Sequence, residues 1–146
     1  MDAYQILMKD HRKVEDLFEQ IEQTEDRARG DRQQLFQKLR EELELHTEVE
    51  ERLVYPEMKK HPGTREFAEE ALEEHAEVKR LLKEIGELSP DDERWPDMIE
   101  ELDHAVQHHV REEEEQMFPA ARREISESRA SELGRQIEEM KENVAA

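Results

Sequence analysis

Apolar residues recur along this chain at helical spacing, and two stretches repeat each other. Val14, Leu17, Phe18 and Ile21 follow His11, and Val78, Leu81, Leu82 and Ile85 follow His75 at the same intervals. Leu39, Leu43, His46, Glu50 and Leu53 form another stripe. Ile99, Leu102, Val106, His109, Glu113 and Met117 form its counterpart. Steps of three and four put each set on one face of an α-helix. Period-two alternation is weak and β-branched residues are scarce, so no strand is predicted. Leu133, Ile137, Met140 and Val144 predict a shorter last helix over about 128–143.

Breaks fall at the few glycines and prolines. Gly30-Asp31 ends a first helical stretch of about 2–28, and Pro62-Gly63 closes a second of about 31–60. Thr64 restarts a third, running to about Gly86. Ser89-Pro90-Asp91-Asp92 forms a turn, and Trp95-Pro96 opens a fourth helix that reaches about Arg123. Pro56 and Pro119 lie late in the second and fourth helices, where each is expected to kink or end the regular helix.

The second and fourth helices both carry His-x-x-x-Glu followed by an aromatic-proline pair: His46, Glu50, Tyr55-Pro56 and His109, Glu113, Phe118-Pro119. With short connections, the duplication predicts two αα-hairpins stacked as an antiparallel up-down four-helix bundle with pseudo-twofold symmetry. The expected fold class is all-α. The expected division is a bundle over 1–124 and a C-terminal helix over 125–146, packed on the bundle or on a partner.

Composition narrows the chemistry. Charged residues are 43% and aromatics 5% of 146 residues, which suits one domain of long, charged, Leu-bearing helices. Forty-one acidic against 22 basic residues leave a formal charge of −19 and no basic patch. Nucleic acid and anionic membrane surfaces are therefore not expected as partners. No cysteine is present, so any metal must be held by nitrogen and oxygen ligands. No apolar run suits a membrane span. Met1-Asp2-Ala3-Tyr4-Gln5 lacks the start of a signal peptide, so the expected location is cytoplasmic.

Four histidines and two glutamates fall on apolar faces. A buried glutamate is costly unless paired or metal-bound, and two at matched positions would repel each other in the core. A cation between them removes that repulsion, and neutral imidazoles complete its shell. A single His-x-x-x-Glu is weak in so Glu-rich a chain, since His11–Glu15 and His108–Glu112 match it too. The matched repeat is what raises His11, His46, Glu50, His75, His109 and Glu113 to a polynuclear metal site. Aligning the aromatic-proline pairs selects His109 over His108. His104 and His108 could form a separate surface pair, and His61 is expected to be solvent-exposed. The run Glu112–Glu115 is expected to be a solvated face apart from Glu113, and the methionines core fillers.

The order His … His-x-x-x-Glu … His … His-x-x-x-Glu over residues 4–120 resembles hemerythrin-like proteins of the HHE cation-binding group. The resemblance implies two iron ions, held by His11, His46, Glu50, His75, His109 and Glu113, with both glutamates and an oxo or hydroxo group as bridges. It departs from the oxygen carriers at two places. Lys79 stands where they have a fifth histidine, and Glu113 stands four residues after its histidine where they have an Asp at five. The implied site is more open, favouring reaction with a small oxidant over storage. Tyr55 is a candidate iron ligand or neighbour of the bound ligand; packing like Phe118 is its plainer role.

The expected function is a di-iron protein that binds or reacts with O2, hydrogen peroxide or nitric oxide, with catalase-like peroxide decomposition as the favoured activity. The alternatives are an O2, nitric oxide or iron sensor or buffer without turnover, and a structural bundle that acquires zinc. Ferritin-like carboxylate proteins match less well, because they use Glu-x-x-His pairs and more carboxylates.

Overall fold

Asp2 caps the first helix (Ala3–Glu22): its side chain accepts from the Gln5 backbone N–H, while the Gln5 side chain accepts from Asp2 in return. The computed structural model describes residues 1–24 and 29–145. The second helix begins at Arg29, so Gly30 lies in its first turn rather than at a break. The first helix was expected to reach about residue 28, but it ends at Glu22 with Gln23 as its C-cap; residues 25–28 lie outside the described ones. The third helix is Arg65–Gly86, the fourth starts at Trp95, and the fifth is Glu127–Ala145. No strand occurs among the described residues.

The second and fourth helices do not stop at their prolines. Arg29–Val49 continues through a π-helical turn, Glu50–Val54, into Tyr55–Met58. Trp95–Glu112 continues through Glu113–Met117 into Phe118–Glu124. Proline has no N–H for the carbonyl four residues earlier and its ring crowds that carbonyl. Widening the preceding turn relieves this: the Tyr55 N–H bonds to Glu50 O and the Phe118 N–H to Glu113 O, five residues back. Each π turn thus opens at one of the two inward glutamates. The wider turn also shifts the inward face by one residue, so Val54 is buried where uniform α spacing points to Leu53.

The first and second helices pack together, as do the third and fourth. The fifth lies along the first, burying Ala130, Leu133 and Ile137 among Ala3, Tyr4 and Leu7; Val144 stays exposed. Gly134 lets this happen. A methyl group there would overlap the Met1 carbonyl oxygen and lie 3.0 Å from the Asp2 carbonyl carbon.

Two apolar clusters fill the interior. One holds Leu7, Val49, Val54, Met58, Ala71 and Met117; the other holds Val14, Leu43, Val78, Leu102, Val106 and Trp95. Each fully buried aliphatic side chain contributes roughly 1.5–3 kcal/mol. His11, His46, Glu50, His75, His109 and Glu113 are all buried, and along every helix they fall between residues of the two clusters. A polar layer therefore divides an otherwise apolar core. No described helix is long and apolar enough to cross a membrane.

Candidate metal centre

All six side chains named from the sequence meet in this layer. Each of the first four helices supplies one histidine, and the two π turns supply the glutamates. His11 and His46 pair edge-on at 5.0 Å between ring centroids, and His75 and His109 at 4.8 Å. Each histidine pair comes from one hairpin, and a glutamate of the other hairpin completes it. The two resulting groups are His11, His46, Glu113 and Glu50, His75, His109, with ligand atoms in each group within 4.8 Å of one another.

The carboxylates also reach across. Glu113 Oε1 is 3.1 Å from His11 Nε2, while its Oε2 is 3.4 Å from His109 Nε2. Glu50 Oε1 lies 3.0 Å from His46 Nε2 and 3.1 Å from His75 Nε2. His75 Nε2 and His109 Nε2 are 3.2 Å apart. Four Nε2 atoms and two carboxylates thus converge on one small volume.

This donor set fits metal ions. Glu50 Oε2 and His46 Nε2 are buried without a hydrogen-bond partner among the described residues; the Glu50 Oε1 contact to His46 is close but not aligned as a hydrogen bond. A buried polar atom left this way costs about 1–3 kcal/mol, and a coordinated cation would satisfy both atoms. Without a metal, the carboxylates favour the protonated forms of His46 and His109. Burial lowers His46, but the charge of Glu50 and the Asp10 hydrogen bond outweigh it and raise it to about 10. His109 is raised likewise: burial opposes and Glu113 dominates. Glu50 is held well below the usual carboxylate range, since the His46 charge and the contact with His109 exceed its burial penalty.

Every histidine is oriented from outside by a carboxylate on Nδ1. Glu114 holds His11 at 2.6 Å, Asp10 holds His46 at 3.0 Å, Glu51 holds His75 at 2.9 Å and Glu74 holds His109 at 2.7 Å. Such contacts turn Nε2 inward. Three of the four carboxylates are themselves met by a permanent cation. Arg12 reaches Glu114 at 2.6 Å, Lys79 reaches Glu51 at 2.8 Å, and Lys141 of the fifth helix donates to Asp10. Burial pushes Asp10 up, yet His46 and Lys141 hold it below its ordinary value.

Tyr55 and its repeat partner Phe118 break the symmetry. Tyr55 is buried, with its hydroxyl 2.6 Å from Glu113 Oε2, 3.2 Å from His75 Nε2 and 3.4 Å from His109 Nε2. Burial, then the charges of Glu113 and Glu50, push its hydroxyl well above the ordinary tyrosine range. Phe118 stacks parallel to His11 at 6.3 Å. On the other side of the histidines lies a cavity of about 20 Å³, lined by the four rings with Val14, Leu43, Thr47, Val78, Val106 and Val110.

A model of the hemerythrin HHE cation binding domain matches residues 2–121. The chain belongs to the hemerythrin HHE cation-binding domain family. An HHE domain-containing protein from Mycobacterium kansasii, known from its crystal structure, shares the fold at a TM-score of 0.85 and 24% identity, covering 97% of this chain and 86% of that one. An uncharacterized hemerythrin-like protein of Schizosaccharomyces pombe is 29% identical over 140 residues, 94% of this chain and 68% of its own length. A protein of Nostoc sp. named DNA nickase is 29% identical over 144 residues. That alignment takes in 99% of this chain but only 40% of the Nostoc protein, so the HHE chain spans about two fifths of that relative.

Around this HHE centre, sequence reasoning missed the four outer carboxylates, although the repeat marks them. Asp10 and Glu74 immediately precede His11 and His75; Glu51 and Glu114 immediately follow Glu50 and Glu113. Glu114 therefore corrects the expectation that the Glu112–Glu115 run is solvated apart from Glu113: it is partly buried against His11. His61 is also less exposed than expected, with 28% of its side chain accessible and its Nε2 3.6 Å from Glu57. His104 and His108 face different carboxylates. His104 faces Glu100 at 3.9 Å, whereas His108 faces Glu74 and Glu112.

Proposed function

We propose that this HHE protein holds two iron ions, one for each group of two histidines and a glutamate, and that it binds or reacts with O2, hydrogen peroxide or nitric oxide. The observation that carries this is the pairing of two three-ligand groups with a small cavity against the same histidines. A volume of about 20 Å³ admits one water-sized guest. Four imidazoles with two carboxylates form a nitrogen–oxygen set that suits iron among the first-row metals, and Glu50 and Glu113 each reach towards both groups, as bridging ligands would.

When bound, the iron pair would supply two-electron redox chemistry; the protein supplies the surroundings. Val14, Val78, Val106 and Val110 exclude bulk water from the approach to the histidines. Asp10, Glu51, Glu74 and Glu114 keep the four Nε2 atoms aimed inward. Tyr55 keeps its proton at the hydroxyl, 2.6 Å from Glu113 Oε2, and so can relay it through Glu113 during reduction of an oxidant. Peroxide decomposition, in which two peroxides yield one dioxygen and two waters, needs no outside reductant and is the favoured turnover. With Lys79 directed outward to Glu51, the group of Glu50, His75 and His109 is left with room for an added ligand.

Metal analysis combined with a peroxide assay on one sample tests this. The expected result is about two iron ions per chain and dioxygen evolution on adding peroxide. One zinc and no iron would overturn the di-iron reading.

A second reading is a sensor without turnover. The fifth helix favours it, because Lys141 touches Asp10, which holds His46, and so links a peripheral helix to the centre. Reversible O2 or nitric oxide binding with negligible peroxide turnover would select it. The nicking activity named for the Nostoc relative gains no support from a chain of formal charge −19, which repels a phosphate backbone.

A further inference from the structure

Three of the four carboxylates behind the histidines are neutralised by Arg12, Lys79 and Lys141. The fourth, Glu74, is different. Among the described residues its ion pairs run only to His109 and His108. Its Oε1 is committed to His109 Nδ1 at 2.7 Å, while its Oε2 faces outward, 3.4 Å from His108 Nε2. His108 Nε2 in turn lies 3.2 Å from Glu112 Oε1, one helical turn along the same face. One carboxylate oxygen of Glu74 and one of Glu112 lie within 4.8 Å of each other. Two carboxyl groups thus meet where the other three positions bring a carboxylate and a cation together.

We propose that Glu74, His108 and Glu112 form a separate, solvent-facing site for one divalent transition-metal ion, with Zn2+ the best-matched probe. The ligand atoms lie within 4.8 Å of one another. Two ligand atoms each about 2.1 Å from a tetrahedral zinc stand about 3.4 Å apart, and His108 is at 3.4 and 3.2 Å from its two neighbours. One imidazole and two carboxylates leave a fourth position for water, as in open zinc sites. Little ordering is needed, because Glu74 is fixed by His109 and only 17% exposed at its side chain, and Glu112 only 25%. A metal here is the missing fourth outer cation: it neutralises Glu74 as Lys141 neutralises Asp10, and joins the surface to His109 through one carboxylate. The site is distinct from the buried centre and does not depend on which metal that centre holds.

Equilibrium dialysis of the purified protein, with its own metal content intact, against micromolar free Zn2+ tests this. The native chain is expected to retain one zinc more than His108→Ala, and Glu112→Gln is expected to lose the same equivalent. His104→Ala, four residues away on the exposed surface, is expected to keep it. Because His108 is 62% exposed at its side chain, its removal leaves the core intact, and unchanged circular dichroism and buried-metal content will verify that. NMR should show the His108 imidazole resonances of the native chain moving on zinc addition. Equal zinc retention by the native chain and His108→Ala, or unmoved His108 resonances at saturation, would overturn the proposal.

Discussion

The Tyr55 hydroxyl donates to Glu113 Oε2 at 2.6 Å, although the two residues are separated by 58 positions, Tyr55 just after one π turn and Glu113 at the start of the other. This contact ties the two halves of the duplicated centre together at its least symmetric point. Phe118, at the matching position, has no hydroxyl to offer His11. Tyr55→Phe should fold, since the ring still fills its place, and should lose about 1–2 kcal/mol from the unmet carboxylate. Two iron ions per chain should remain, and peroxide turnover should fall about a hundredfold through loss of the proton donor. Loss of an iron instead would make Tyr55 a ligand.

Asp10 tests the outer carboxylates. Asp10→Asn keeps the shape but weakens the hold on His46 Nδ1 and the attraction of Lys141. Metal affinity should fall by roughly 10- to 100-fold, read by competition with a chelator. Lys141→Met should move it in the same direction by less, because it acts one contact further out. An unaltered affinity in Asp10→Asn would mean that His46 is oriented by packing alone.

Metal and proton compete for His46. Its folded value is raised to about 10 from 6.5 because Glu50 and Asp10 outweigh burial. A raised value stabilises the metal-free protein fully below 6.5, and that stabilisation is lost as pH rises through about 10. Thermal unfolding of metal-free protein should therefore occur at progressively lower temperature across this window. Loaded protein should lack this loss, and metal should bind more tightly as pH rises, since loading releases the proton. A metal-free melting temperature that stays flat over the window would contradict the assignment.

Gly134 joins the fifth helix to the N-terminus. Alanine in a helix interior is ordinarily favoured over glycine by about 1 kcal/mol. Here the added methyl meets the backbone at Met1 and Asp2, which cannot swing aside as a side chain would. Gly134→Ala should therefore destabilise the protein, with the fifth helix showing faster amide exchange than the third. A melting temperature above that of the native chain would show that the N-terminus yields easily.

The repeat made the fold and the inner centre legible. His11 and His75 head matched apolar stripes, and the Tyr55-Pro56 and Phe118-Pro119 pairs set the register that separates His109 from His108 and Glu113 from its acidic neighbours. Helical periodicity suffices for this because it is a local property: a residue's face follows from its spacing to residues on the same helix. Which atoms then meet across helices depends on the stagger and rotation of separate rods, and no spacing records that. Only the tertiary structure decided that each histidine pair is completed by the glutamate of the other hairpin, that Glu74 and not some other of the many glutamates lies behind His109, and that Lys141 reaches Asp10 from the fifth helix. The π turns stand between the two. Pro56 and Pro119 announced a disturbance, but its form, a widened turn that keeps the helix going and begins at Glu50 and Glu113, was settled by packing on both sides of the polar layer.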